Sequence, residues 1–173
     1  MRNSLSARRP FAVAVLAVAL AAACSPTSPA GEETTRAADE PAHVFALAST
    51  SGETVSLDEL AGQWVLINFW ATWCGPCVEE MPYLDSLARN EPDLAVLGVN
   101  MRESRETVEA FAAAHDLHLP LLLDPDDATL AAYQVMNLPL TVVVSPDGSV
   151  AGRFFGPLEP DAFETWLRDA IGR

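Results

Sequence analysis

An α/β fold, with a central mixed sheet flanked by helices on both faces, is what the sequence predicts, and three features predict it. Apolar runs of strand length such as "QWVLINFW" and "LAVLGVN" alternate with longer stretches of helical periodicity. These runs are apolar without alternation, as in strands covered on both faces. Near the end, "SPDGS" sits between two further apolar runs and marks a hairpin, which gives the sheet an antiparallel edge.

In chain order, "HVFAL" and "ETVSL" form a short β element around the turn Ser51-Gly52, and residues 57–60 suit one helical turn. The strand "QWVLINFW" leads into a helix over about 75–89. Pro76 belongs in the first turn of that helix, where its missing N–H costs nothing. The strand "LAVLGVN", a helix over about 105–115 and a short strand "PLLLD" follow. "DPDDAT" lacks the Gly and distal Glu of a calcium loop and reads as a turn and cap for a helix over about 128–133. The strands "LTVVVS" and "SVAGRFF" flank "PDG", and a helix over 160–171 ends the domain.

The N-terminus reads differently. Arg2, Arg8 and Arg9 precede the apolar run 11–23, which is too short for the roughly 20 residues of a membrane-spanning helix and has the layout of a signal peptide. It ends in "LAAACS", which resembles a bacterial lipobox and would place lipid on Cys24. Ala21 and Ala23 also satisfy ordinary Ala-x-Ala cleavage. Residues 25–41, rich in Pro, Ser, Thr, Ala and Glu, lack apolar periodicity and read as a flexible tether. The expected organisation is therefore a signal peptide over 1–23, a lipid-attachment Cys with its tether over 24–41, and one folded domain over 42–173.

The whole chain carries a formal charge of −14 with ten basic residues, all Arg, and removing the leader makes it more acidic still. Such a surface repels nucleic acid and anionic headgroups, so any membrane attachment would come from acyl chains. Three Cys are an awkward number for an exported protein, but giving Cys24 to lipid leaves the pair Cys74 and Cys77.

That pair, in "NFWATWCGPCVEEMP", admits two chemistries. Two Cys at this spacing make half a zinc site, which would need His115 and His118 as the other ligands. Those two are closer together than zinc-site His residues usually stand. In a redox site, Cys74 would start the helix, where unpaired N–H groups favour a thiolate. Cys77, one turn on, would then resolve the mixed disulfide formed on Cys74.

"FWATWCGPC", "LINFWATWCGPCVEEMPYL", "VLGVNMRES" and "LPLTVVVSPDGSV" together resemble the thioredoxin superfamily, in particular its membrane-attached TlpA/ResA-type branch, over about residues 42–171. The resemblance implies a thioredoxin-like sheet of about five strands with an N-terminal β-hairpin. It makes Cys74 the attacking thiol and Cys77 the resolving one, with Gly75 and Pro76 setting redox poise. Pro139 becomes a cis-proline beside the disulfide, leaving the backbone of Leu138 to pair with substrate. Cytosolic thioredoxins carry a buried Asp where this chain has Asn68. Glu80, three residues past Cys77, matches the Glu of the TlpA/ResA type and would accept the proton of Cys77. Glu79 is expected to be a solvated first-turn acid and Pro82 a helix kink.

Glu103 either matches a family acid near the groove or caps the following helix, and Trp73 shields the sulfur and meets substrate. Trp70 reads as core. The implied activity is thiol-disulfide exchange with no cofactor beyond the redox-active disulfide and no metal. Its expected partners are protein disulfides, apocytochrome c thiols foremost, and a membrane thiol-electron donor. The alternatives are a general extracytoplasmic disulfide reductase, a thiol peroxidase of related fold, or a non-catalytic module with a structural disulfide or zinc. No CxxCH occurs, so the chain does not itself take covalent haem.

Overall fold

A computed structural model describes residues 40–171 of the chain. The expected signal peptide, Cys24 and all but the last two residues of the tether lie outside the described residues. Strands β1 (Ala46–Ala48) and β2 (Thr54–Ser56) pair antiparallel around Ser51-Gly52, and a 3₁₀ turn, Asp58–Leu60, follows. Then come β3 (Trp64–Trp70), α1 (Gly75–Asn90), β4 (Leu94–Asn100), α2 (Arg105–Ala114), β5 (Leu121–Leu122), α3 (Asp127–Ala132), β6 (Leu140–Val144), β7 (Val150–Phe155) and α4 (Pro160–Ile171).

The main sheet has five strands in the order β5-β4-β3-β6-β7. The crossover through α1 makes β3 and β4 parallel, and β5 continues that sense. The tight turn at 145–149 makes β6 and β7 antiparallel, and β6 also runs against β3. The centre of the sheet is therefore β3, buried on both faces. Its Val65, Ile67 and Phe69 join Leu97, Val99, Leu140 and Val142 on one face, covered by Phe45, Leu47, Tyr133 and, at its border, Leu130 of α3. Leu66 and Trp70 point to the other face, packed by Met81 and Leu84 of α1, Val108 of α2 and Phe163 and Leu167 of α4. Alternation along a pleated strand explains the division, and helices contribute to both layers. Contact between β7 and α4 is close: a Cβ at Gly152 would stand 2.6 Å from the Trp166 ring.

Both sheet edges are covered. Along β5, Thr50 N donates to Leu121 O, Leu123 N donates to Ala48 O, and Ser49 bridges Leu122. The expected strand "PLLLD" thus ladders with β4 only at Leu121 and Leu122, because Leu123 turns to the hairpin and Asp124 takes a left-handed conformation. Along β7, Val150 N donates to Glu40 O, Pro41 bridges Ser149, and the Glu40 carboxylate lies 2.9 Å from Arg153 Nη1. Glu40 and Pro41, the last residues of the expected tether, are thus already fastened to the sheet.

Candidate redox site

Strand β3 ends at Trp70, and the chain turns through 71–73 into α1. Cys74 is the N-cap of that helix: its backbone is extended, and its Sγ accepts from Cys77 N at 3.3 Å. Placed one turn apart, with Cα atoms 5.2 Å apart, Cys74 and Cys77 form a disulfide. Cys77 is wholly buried, whereas Cys74 is 6 % exposed. Gly75 and Pro76 are exposed between them, with Pro76 in the first turn, where an N–H donor would have no helical partner. Pro82 lies inside α1, which continues past it to Asn90.

A cavity of about 430 Å³ adjoins Cys74, lined by Trp73, Met101, Val135, Met136, Asn137 and Leu138. Trp73 is 70 % exposed and Met136 87 %, the two most exposed large apolar side chains among the described residues, and both line this cavity. Trp70 separates from Trp73, being fully buried 5.1 Å from the Phe111 ring. The Leu138–Pro139 peptide bond is cis, and Pro139 O accepts from Gly156 N at 3.0 Å.

Glu80 follows Cys77 by three residues and turns inward, whereas its neighbour Glu79 is exposed and stands beyond the first turn where it was expected. The Glu80 carboxylate accepts from Asn68 Nδ2 at 2.7 Å through Oε1 and from Leu158 N at 2.9 Å through Oε2. Burial pushes its pKa up to about 7, although the Leu158 N–H and the Asn68 amide pull the other way.

Glu103 does not cap α2. Ser104 does so, its hydroxyl accepting from Thr107 N, while the Glu103 carboxylate reaches back to the turn before Cys74. There it accepts from Thr72 N at 2.7 Å, from the Thr72 hydroxyl at 2.5 Å and from Asn100 Nδ2 at 2.8 Å. Burial pushes this carboxyl up, but the Thr72 and Asn100 bonds outweigh it and hold the pKa below the usual range. Thr72 and Asn100 lie within the stretches "FWATWCGPC" and "VLGVNMRES", but sequence reading assigns neither a role.

His115 stacks near Phe111, and the His118 side chain lies exposed beside Asp85 and Asp116. Asp85 is buried, accepting from His118 N and Leu119 N and pairing with Arg89, which pins α1 to the segment before β5. Asp126 caps α3 through Thr129 N. Among the described residues no group of three or more His, Cys, Asp or Glu is placed to hold a metal ion, and no helix is long and apolar enough to cross a membrane.

A dithiol pair closing at the start of the helix that follows the central strand, on a sheet of this order, puts the chain among the thioredoxin-like thiol-disulfide oxidoreductases. Over residues 38–153 the sequence matches the AhpC/TSA family, and the chain belongs to it. It is similar to the thiol-disulfide oxidoreductase ResA of Bacillus subtilis, at 36 % identity over 61 % of this chain and 60 % of that one. The ResA of Geobacillus kaustophilus is 34 % identical over 79 % of both chains. The crystal structure of StoA from Bacillus subtilis superposes with a TM-score of 0.63 at 25 % identity, covering 73 % of this chain and 97 % of that one.

Proposed function

We propose that the chain works outside the cytoplasm as a reductant of protein disulfides, held to a membrane by lipid on Cys24 and recharged by a membrane thiol-electron donor. Apocytochrome c disulfides, reduced to the thiols that receive haem, are the substrate class. The carrying observation is the Cys74–Cys77 disulfide at the N-terminus of α1, open on one side to an apolar cavity and followed one turn later by a buried acid.

In the reduced chain, Cys74 at the helix N-cap is the more exposed sulfur and the nucleophile. Its thiolate attacks a substrate disulfide, forming a mixed disulfide and releasing one substrate thiolate. Cys77 then passes its proton to Glu80 and attacks Cys74 Sγ. That bond closes the Cys74–Cys77 disulfide and expels the second substrate thiolate, so two electrons reach the substrate. Trp73, Met136 and Leu138, which line the cavity with Cys74, offer apolar contact to the peptide around the substrate cysteine, and the cis bond to Pro139 turns the chain directly after Leu138. The Gly-Pro pair between the cysteines supports a reducing direction, since thioredoxin lies near about −270 mV.

The test is a Cys77→Ala variant of the full chain expressed in a bacterium that makes c-type cytochromes, with trapped partners identified by mass spectrometry. Apocytochrome c on Cys74 supports the substrate; other proteins alone would assign a general disulfide reductase instead. Intact mass of the membrane fraction reads the lipid, and an unmodified, unretained Cys24 rules the anchor out.

A further inference from the structure

Two polar side chains stand in the middle of strands that are otherwise almost wholly apolar. Asn68 of β3 and Thr141 of β6 are cross-strand partners, both fully buried on the face that α1 covers. A carboxamide buried this deeply is costly unless it is paired. Asn68 pairs only as a donor: Nδ2 reaches Glu80 Oε1 at 2.7 Å and Thr141 Oγ1 at 3.0 Å, while Oδ1 has no partner among the described residues. Both N–H groups converge on the pair formed by acid and hydroxyl, and the amide has its good geometry on that side alone.

We propose that Asn68 is a positioning residue for Glu80: its carboxamide, oriented by Thr141, donates to the buried carboxylate and favours the ionised form that takes the Cys77 proton. This rests on the reading of Glu80 as the proton acceptor. The polar groups that meet Glu80 are the Asn68 amide from β3 and the Leu158 N–H from the segment before α4, and neither carries a charge. Burial disfavours the ionised form, the two N–H donors oppose burial, and Asn68 supplies the donor that comes from a side chain.

The arrangement also accounts for an amide at 68 where cytosolic thioredoxins have an acid. With the carboxylate carried by α1, an Asp at 68 would set two carboxyls at hydrogen-bond distance, and they would share a proton.

The full-length oxidised protein, labelled with 13C at glutamate side chains, is titrated by NMR to follow Glu80 as parent, Asn68→Leu and Asn68→Asp. In parallel, the rate at which Cys77 expels glutathione from its mixed disulfide with Cys74 is measured against pH. Asn68→Leu should move both midpoints upward by about one pH unit, about tenfold in proton affinity. Displacement at pH 7 should then slow about fivefold and recover in alkali. Asn68→Asp, which preserves shape, should split the Glu80 titration into two coupled steps, and it decides the matter if the Leu variant does not fold. Midpoints unmoved in every variant that folds, or a rate loss equal at every pH, overturn the proposal. Glu80→Gln separates the two levels. If it flattens the pH profile while the Asn68 variants shift nothing, only Asn68 is misassigned; if it leaves the profile intact, the reading of Glu80 fails and this proposal with it.

Discussion

Removing the charge from Glu80 should change how stability depends on pH, and the structure gives the size. In the folded oxidised chain this carboxyl keeps its proton up to about pH 7, against 4.5 as a free side chain. Between those two values the folded state binds one proton more than the unfolded state, so stability falls as pH rises; outside the window the group contributes no slope. At about 1.4 kcal/mol per pH unit, crossing the window costs about 3 kcal/mol.

Glu80→Gln abolishes the titration. Its amide oxygen can accept from either Asn68 or Leu158, but its NH₂ end then faces the other donor, at a pH-independent cost of about 1–3 kcal/mol. The offset moves the variant's curve bodily without tilting it. Urea unfolding of parent and variant, followed through the buried Trp70, should therefore show the variant gaining on the parent by about 3 kcal/mol between about pH 4.5 and about pH 7. Parallel curves would show that Glu80 titrates normally in the fold, and the burial argument would be wrong.

Three other outcomes are expected. Cys74→Ser should leave insulin reduction undetectable, whereas Cys77→Ser should accumulate mixed disulfide on Cys74, visible on non-reducing gels; equal trapping by both would reverse the sulfur roles. Glu103→Leu takes the acceptor away from Thr72 N, the Thr72 hydroxyl and Asn100 Nδ2, and should cost about 1–3 kcal/mol in urea unfolding while raising mobility of the turn before Cys74 in NMR relaxation. Gly152→Ala places a methyl against the Trp166 ring and should cost about 1–3 kcal/mol, measurable as a lower thermal midpoint with disulfide exchange retained.

Most of the fold is legible in the sequence because burial on both faces writes itself as unbroken apolar runs. The strand "QWVLINFW", the α1 start at Gly75-Pro76 and the "SPDGS" turn carry enough local signal to place β3, α1 and the β6–β7 hairpin within a residue or two. What is not legible depends on partners far along the chain. The pairing of Asn68 with Thr141 spans 73 residues, and Leu158 N–H reaches Glu80 across 78. The family resemblance marks Asn68 only as the place of a missing acid. Glu103 misleads for the same reason: its helix-start position suggests a cap, but the carboxylate is used 31 residues away at Thr72. Asp85, to which sequence reading gives no role, is buried and accepts from His118 N and Leu119 N, 33 and 34 residues on.

The fastening of Glu40 and Pro41 to β7 fixes where the chain enters the domain. Ser149 and Val150, their partners, stand at the end of the sheet where β3 begins, while Cys74 lies past the end where β3 finishes. Seven residues of extended strand, about 23 Å, separate the two poles. Tension applied through residue 40 would load the Arg153 contact and the outer ladder first and leave the sulfurs unstrained. The point where the chain enters the domain and the reactive sulfurs thus lie at opposite ends of the sheet, so a fluorophore at residue 40 and another at Trp73 should report a long and steady separation as partners come and go.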